Sequence, residues 1–167
     1  SGRGLTLSGG ESLCHAEFAR DLLHAAKARG MNTAMESMAG LPYEKIEMLL
    51  PYLDNYLMDI KHIDPEKHKR FTGRSNELML ENARKVAKSG MTRLDIRVPV
   101  IPTFNDKPEE IRAIAQFADK LPGVKKIHLL PYHRLGQDKY EGLGRDYEME
   151  GILPPDNAYM EMLRQVV

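Results

Sequence analysis

Residues 5–12 have the sequence LTLSGGES, and this stretch marks the point where a short strand ends and a helix begins. Its first three residues favour a strand, and the paired glycines Gly9 and Gly10 follow after one serine. Two glycines at the end of a strand allow a tight turn and leave the backbone N–H and C=O groups open to a ligand. Such a pair is more often a plain structural turn than a ligand-binding loop. A functional role is therefore favoured only if polar residues also follow the later strands of the chain.

Short strands and helices alternate from this stretch to the end of the sequence. Strands are predicted at residues 31–35, 56–60, 93–99 and 126–130. Helices are predicted after Glu11 and at residues 42–50, 76–89, 111–121 and 156–167, with a partly helical connection at 62–73 and a loop at 100–106. This order predicts an α/β fold with a parallel sheet, as a partial (β/α) TIM-like barrel of about five β/α units. An open doubly wound sheet is the alternative, although the glycine pair lacks the G-x-G-x-x-G pattern of dinucleotide sites.

The composition excludes several classes of function. The 167 residues include 24 basic and 24 acidic ones, which gives no electrostatic basis for binding nucleic acid or an anionic membrane. No apolar run approaches the length of a membrane span, and a single domain over residues 1–167 is expected. The one cysteine, Cys14, excludes an internal disulfide and predicts a reducing, cytoplasmic compartment. It also excludes an iron–sulfur site formed by this chain's thiolates alone.

Two further features of the sequence lead to structural expectations. The first predicted helix carries an apolar stripe formed by Leu13, Cys14, Phe18, Leu22, Leu23 and Ala26. Cys14 falls within this stripe, so we expect a core residue rather than a ligand. The stretch 134–155 is long and polar and contains glycines, which is more typical of a cover over a functional site than of a simple connector.

Polar residues follow the predicted strands, and a barrel would bring the strand ends to one face. The candidates are Ser8, Gly9, Gly10, Glu11, Glu36, Asp59, Lys61, Arg97 and His133. Each has an ordinary structural alternative, such as a rim salt bridge for Asp59 with Lys61 or a structural hydrogen bond for His133. Taken together, the set suits a zwitterionic small molecule, because carboxylates and carbonyls would hold an ammonium group and the lysine a carboxylate.

Four stretches resemble one known family: SGGE at 8–11, MDIK at 58–61, IRVPVIPTFND at 96–106 and LLPYHRLGQDKYEGLGRDY at 129–147. The family is that of the radical S-adenosylmethionine (SAM) enzymes that activate glycyl radical enzymes, of the pyruvate formate-lyase activating enzyme type. The resemblance runs in the same order from Leu5 to the C-terminus, and LPYH followed by LG and KY is its most specific part. It implies a partial (β/α)6 barrel that binds SAM across the strand ends.

The resemblance also implies roles for individual residues. The SAM-binding positions would be Ser8, Gly9, Gly10, Glu11, Glu36, Asp59, Lys61, Pro99 and His133. The glycine loop would hold the methionine amino group and Lys61 its carboxylate, while His133 and the backbone at Pro99 would contact the nucleoside. A monovalent cation would be bound by Glu36, Ser37, Asp59 and the backbone near Leu57, and Arg97 would lie near the substrate peptide. No catalytic residue can be assigned within this chain.

The sequence departs from the family pattern at three places. The proline after GGE is replaced by Ser12, the acid–Thr–x–Gly motif becomes ESMAG at 36–40 with its glycine one place later, and IPG becomes IPT at 101–103. The C-x-x-x-C-x-x-C loop that holds a [4Fe–4S] cluster in the family is missing, and so is the strand before it. We therefore expect an N-terminally truncated chain that is inactive alone, because Cys14 by itself cannot hold the cluster. In the family, the cluster takes an electron from a flavodoxin or ferredoxin and passes it to SAM, and cleavage of SAM gives a 5′-deoxyadenosyl radical. That radical takes a hydrogen atom from a glycine of the partner enzyme.

Three hypotheses of function stay open at this point. The chain could be part of an activating enzyme that keeps its SAM and partner surfaces, or a non-catalytic remnant that docks a glycyl radical enzyme through residues 134–155. An unrelated barrel enzyme that uses Lys61 to form a Schiff base is the third. The missing first strand would leave an exposed sheet edge, which predicts self-association.

Overall fold

The computed structural model describes residues 3–132 and 151–167 and contains a five-stranded parallel sheet. Its strands are β1 (Gly4–Leu7), β2 (Asn32–Ser37), β3 (Asn55–Asp59), β4 (Arg93–Val100) and β5 (Ile127–Pro131). The helices are α1 (Ala16–Ala28), α2 (Tyr43–Glu47), α3 (Pro65–Thr72), α4 (Glu77–Ser89), α5 (Pro108–Asp119) and α6 (Asn157–Arg164), with 3₁₀ turns at Ser12–His15 and Leu50–Tyr52. The strands lie side by side in chain order and the sheet is not closed, which confirms the predicted α/β architecture of a partial barrel.

The two faces of the sheet have different surroundings because side chains alternate along each strand. Met35, Tyr56, Met58 and Ile96 point to the face that the helices cover, and they form one buried core with apolar residues of those helices. On the opposite face, which we call the inner face, the register places Asp59 of β3 directly beside Arg97 of β4. The sheet therefore separates an apolar core from a charged inner face.

A carboxylate fixes the N-terminal ends of the first strands. Asp54, just before β3, accepts hydrogen bonds from the backbone N–H of Thr33 (2.8 Å) and from its hydroxyl (3.2 Å) through Oδ2. Its other oxygen accepts a bond of 2.6 Å from Lys27 of α1. The Lys27 hydrogen bond is the main cause of a lowered pKa at Asp54, so the carboxylate stays ionised. This contact ties α1, β2 and β3 together at the end of the sheet remote from the candidate site.

The interpretation of Cys14 as a core residue was wrong. Cys14 is exposed, and so are Phe18 (70% of its surface) and Leu22 (36%). The predicted stripe combined two neighbouring rows of apolar residues, and only one of them is buried. Leu13, Leu23 and Ala26 are buried as predicted, together with Ala16 and Ala19. Cys14, Phe18 and Leu22 follow one another at intervals of four residues and form the exposed row.

Other boundaries differ modestly from the predictions. The second strand begins and ends later than predicted, the connection after β3 contains the two-turn helix α3, and β4 extends to Val100. In the described part of the chain β1 pairs with one strand, β2, and self-association through its other edge stays a prediction. In the described parts of the chain, no helix is long and apolar enough to cross a membrane. Most of the predicted cover at 134–155 lies outside the described residues.

Candidate functional site

The C-terminal ends of β1–β4 and the loops after them form one rim, which we call the mouth (residues 8–11, 38–42, 60–64 and 101–107). Parallel strands bring their C-terminal ends to the same edge, where β/α proteins carry their sites. Glu36, Asp59 and Arg97, predicted from separate strands, lie together here, and Lys61 follows in the loop after β3.

Arg97 joins the two acids of the inner face. Its Nε donates to Asp59 Oδ1 at 2.8 Å and its Nη1 donates to Glu36 Oε1 at 2.6 Å. Burial alone would lower the pKa of Arg97, but the hydrogen bonds and negative charges of Asp59 and Glu36 outweigh burial and raise it. The guanidinium is therefore always charged, and it lies between the carboxylates of two neighbouring strands, Glu36 of β2 and Asp59 of β3, and offsets their negative charge.

Lys61 has a different environment from Arg97. Its ammonium group makes no hydrogen bond or ion pair within the described part of the chain, whereas Asp59, two residues earlier, is paired. Both side chains line a cavity of about 500 Å³ at the mouth. The remaining lining residues are Glu11, Cys14, Met38, Gly40, Leu41, His68, Phe71, Thr72, Arg74, Met79 and Ile101. A cation without a partner beside a largely apolar cavity can bind the carboxylate of a small molecule.

The first residue of the glycine pair adopts a backbone conformation that favours glycine. Gly9 has a φ of 115°, which residues with side chains rarely adopt. Apart from the chain neighbours of each glycine, a methyl group built on Gly9 or Gly10 would meet no atom of the described residues within 4 Å, so this part of the protein leaves the space over the turn open. The backbone of the loop can therefore be approached by a ligand from the mouth.

Glu11 holds two loops of the mouth together. Its Oε1 accepts hydrogen bonds from the Ser37 hydroxyl (2.6 Å) and from the backbone N–H of Leu13 (3.2 Å). Its Oε2 accepts from the backbone N–H of Met38 (3.2 Å). Both carboxylate oxygens therefore already have donors from the protein, although the side chain also lines the cavity.

The implied cation ligands are found in two separate contacts. Glu36 and Asp59 share Arg97, whereas Ser37 bonds Glu11 and accepts from the backbone N–H of Ala39. Leu57 is the register partner of Glu36 on β3. Among the described residues, no group of three or more His, Cys, Asp or Glu side chains could hold a metal ion. The monovalent cation stays a prediction, and a cluster held by three thiolates does not fit a chain with one cysteine.

Two departures from the family pattern coincide with unusual backbone. Ala39 (φ 55°) and Thr103 (φ 69°) are the non-glycine residues with positive φ in the described part of the chain. They follow Glu36-Ser37 and Ile101-Pro102, where the family pattern has its glycines. Both positions therefore have a left-handed backbone although neither is glycine, the residue that favours this conformation, and the cost is about 1–2 kcal/mol at each.

Thr103→Gly is expected to raise the free energy of unfolding by about 0.5–1 kcal/mol, because glycine relieves the left-handed strain but costs more backbone entropy on folding. Chemical denaturation followed by circular dichroism measures the change. Thr92→Gly is the control, since Thr92 is a partly exposed loop threonine without a positive φ, and the free energy of unfolding of that variant is expected to fall by about 0.5 kcal/mol. A Thr103→Gly variant that is destabilised as much as Thr92→Gly would contradict the assignment of strain.

Buried asparagines at the mouth were missed by the sequence analysis. Asn82 of α4 donates from Nδ2 to the carbonyl oxygens of Ala39 (2.9 Å) and Leu41 (2.8 Å). Asn76 donates in the same way to the carbonyl of His62. Asn82 interrupts the apolar stripe of α4, and this interruption was a usable signal of a buried polar contact. His133, a predicted SAM-binding residue, lies outside the described residues.

Comparisons with known proteins agree with this architecture. Residues 2–118 match the family model of the radical SAM superfamily. The chain is 39% identical over 164 residues to the indoleacetate decarboxylase activating enzyme of Tractidigestivibacter scatoligenes, covering 98% of this chain and 52% of the relative. It is 40% identical over 167 residues to the 4-hydroxyphenylacetate decarboxylase activating enzyme of Clostridioides difficile strain 630, covering 99% and 52%.

A solved structure covers nearly the same extent of chain. It is a domain of a pyruvate formate-lyase activating enzyme from Bacteroides vulgatus, with a TM-score of 0.79 and 28% identity, and the match covers 99% of this chain and 92% of that one. The chain spans about half the length of the curated relatives that it matches. The resemblance to activating enzymes of the pyruvate formate-lyase type is confirmed, and the chain belongs to the radical SAM superfamily.

Proposed function

We propose that this chain binds SAM at the mouth and forms part of an enzyme that activates a glycyl radical enzyme. The observation that carries the proposal is the ammonium group of Lys61, which lies beside a cavity of about 500 Å³ and has no partner among residues 3–132 and 151–167. The family match and the activating-enzyme relatives support the same ligand and the same class of partner. In such enzymes, reductive cleavage of SAM supplies the radical chemistry, with an electron from a cluster whose three thiolates this chain does not contain.

The residues of the mouth have complementary roles in this proposal. Lys61 binds the methionine carboxylate, and the open backbone at Gly9 and Gly10 accepts hydrogen bonds from the ammonium group. Glu36 and Asp59 add negative charge near that ammonium, while Arg97 keeps the pair from repelling each other.

The rest of the proposed set follows the family resemblance. Ser8 and Glu11 belong to the glycine loop, and Pro99 and His133 contact the nucleoside. Arg97 faces the substrate peptide, and a monovalent cation with Ser37 and Leu57 completes the methionine end. Flavodoxin or ferredoxin is the proposed reductant of the complete, cytoplasmic enzyme.

Lys61→Ala is expected to weaken SAM binding at least tenfold, because it removes a charge-assisted hydrogen bond. Equilibrium dialysis with labelled SAM measures the dissociation constant. Lys69→Ala is the matched control, since Lys69 lies on the exposed side of α3 and does not line the cavity, and its affinity is expected to equal that of the parent. If Lys61→Ala and the parent bind SAM equally, the site is wrongly assigned.

A second candidate function is docking of a glycyl radical enzyme without catalysis, and it rests on the similarity to activating enzymes alone, with no role for Lys61. The two candidates differ in one observable property. Capture of the partner enzyme that is unaffected by SAM, in a chain that shows no SAM binding by dialysis, would favour docking alone.

A further inference from the structure

The ladder between β3 and β4 ends at a proline. The last backbone hydrogen bond of this ladder runs from Ile60 N–H to Arg97 O (2.9 Å). In a parallel ladder the carbonyl of Ile60 would next accept from residue 99, but Pro99 has no N–H to donate. The two strands are therefore no longer joined by backbone hydrogen bonds at the level where the loops of the mouth begin.

The side chain of Asn105 replaces the missing connection. Its Nδ2 donates to the carbonyl oxygen of Lys61 at 2.6 Å and to that of Pro99 at 2.8 Å. Its Oδ1 accepts from the backbone N–H of Ile101 at 2.6 Å. Asn105 is fully buried, and its carboxamide is saturated on both ends by backbone groups of the two loops.

The turn that carries Asn105 is itself closed by local bonds. The backbone N–H groups of Phe104 and Asn105 both donate to the carbonyl of Ile101 at 3.1 Å. Thr103 N–H donates to Asp106 Oδ1 at 3.2 Å. Asn105 therefore projects from a five-residue turn that is closed by its own hydrogen bonds. Its planar carboxamide joins the backbone carbonyls of Lys61 and Pro99.

We propose that Asn105 is a positioning residue that fixes the spacing between the two ends of the SAM site. This inference rests on the proposed function, in which Lys61 binds the methionine carboxylate and the backbone at Pro99 contacts the nucleoside. Loss of the bridge would let the two loops separate, so a ligand that spans both would bind less tightly. A ligand that contacts only one of the loops would not sense the spacing.

The experiment compares a spanning ligand with its two halves. Affinities of the parent and of Asn105→Ala are measured by NMR titration with SAM, with methionine and with adenosine. We expect SAM affinity to fall about tenfold or more, whereas the affinities for methionine and adenosine change less than twofold. A general loosening of the fold would weaken all three ligands alike, and that result would overturn the inference.

Thr33→Val is the matched control. Thr33 is also buried, and its hydroxyl donates to the carbonyl oxygen of Tyr52 at 2.7 Å and accepts from the backbone N–H of Asp54 at 3.1 Å, at the end of the sheet remote from the mouth. The SAM affinity of Thr33→Val is expected to stay within twofold of the parent at a comparable loss of thermal stability. An equal loss of SAM affinity in Thr33→Val and Asn105→Ala would contradict a specific role for Asn105.

Two further outcomes separate the inference from the proposed function. If the parent chain binds no SAM, the proposed function fails and this inference fails with it. If the parent binds SAM and Asn105→Ala binds it equally well, the inference alone is wrong. Should Asn105→Ala not fold, Asn105→Ser takes its place, because serine offers one donor instead of two and we expect a loss confined to SAM.

Discussion

Arg97→Met is expected to lower the free energy of unfolding by about 2–3 kcal/mol, because it leaves Glu36 and Asp59 facing each other without a counter-charge. Methionine retains most of the apolar volume of the arginine stem, so packing changes little. The side chain of Arg97 is 16% exposed, against 33% for Glu36 and 26% for Asp59. This partial exposure places the expected cost below that of breaking a fully buried ion pair.

Urea denaturation followed by far-ultraviolet circular dichroism measures this loss. Arg20→Met is the control, because the ion pair of Arg20 with Asp21 is exposed to solvent and is expected to contribute no measurable stability. Adding Glu36→Gln to Arg97→Met removes one of the two facing charges and is expected to restore part of the stability. The ion-pair explanation fails if Arg97→Met loses no more stability than Arg20→Met.

Much of the fold could be predicted because local sequence patterns determine it. The two-residue period of strands placed Arg97 on the opposite face from Ile96 and Val98, and the structure agrees. Parallel order then brought Glu36, Asp59 and Arg97 to one edge. The pattern failed at Cys14, because the apolar pattern did not show which of two neighbouring rows on the first helix would be buried: the row of Leu13 and Ala16 is buried, and the row of Cys14 and Phe18 is exposed.

The contacts that assemble the mouth could not be predicted in the same way. Whether Arg97 pairs with an acid or stays free depends on distances across three strands, which a linear pattern does not contain. The bridge from Asn105 to Lys61 and Pro99 depends on the path of a five-residue turn. Long-range contacts of side chains with backbone carbonyls leave no periodic signal, so polar residues in buried positions are the best indication of them.

The role of Glu11 leads to the second large expected effect. Glu11→Ala is expected to lower the free energy of unfolding by about 2–3 kcal/mol, because the N–H of Met38 and the hydroxyl of Ser37 lose a charged acceptor. The free energy of unfolding of Glu11→Gln is expected to fall by about 1–2 kcal/mol. The NH₂ group of the glutamine would replace one accepting oxygen and would then lie against an N–H or O–H donor of the protein. Glu17→Gln, on the exposed surface of α1, is the control and is expected to change stability by less than about 0.5 kcal/mol.

Amide hydrogen exchange decides how Glu11 acts at the mouth. If Glu11 holds the loops together, exchange at Met38 accelerates in Glu11→Gln, and SAM affinity falls because the loop that follows Glu36 is displaced. If the carboxylate instead contacts SAM directly, affinity falls while exchange at Met38 without ligand stays as slow as in the parent. Since both oxygens already accept bonds from Leu13, Ser37 and Met38, we expect the first result. Unchanged exchange at Met38 in Glu11→Ala would contradict the structural role of this residue.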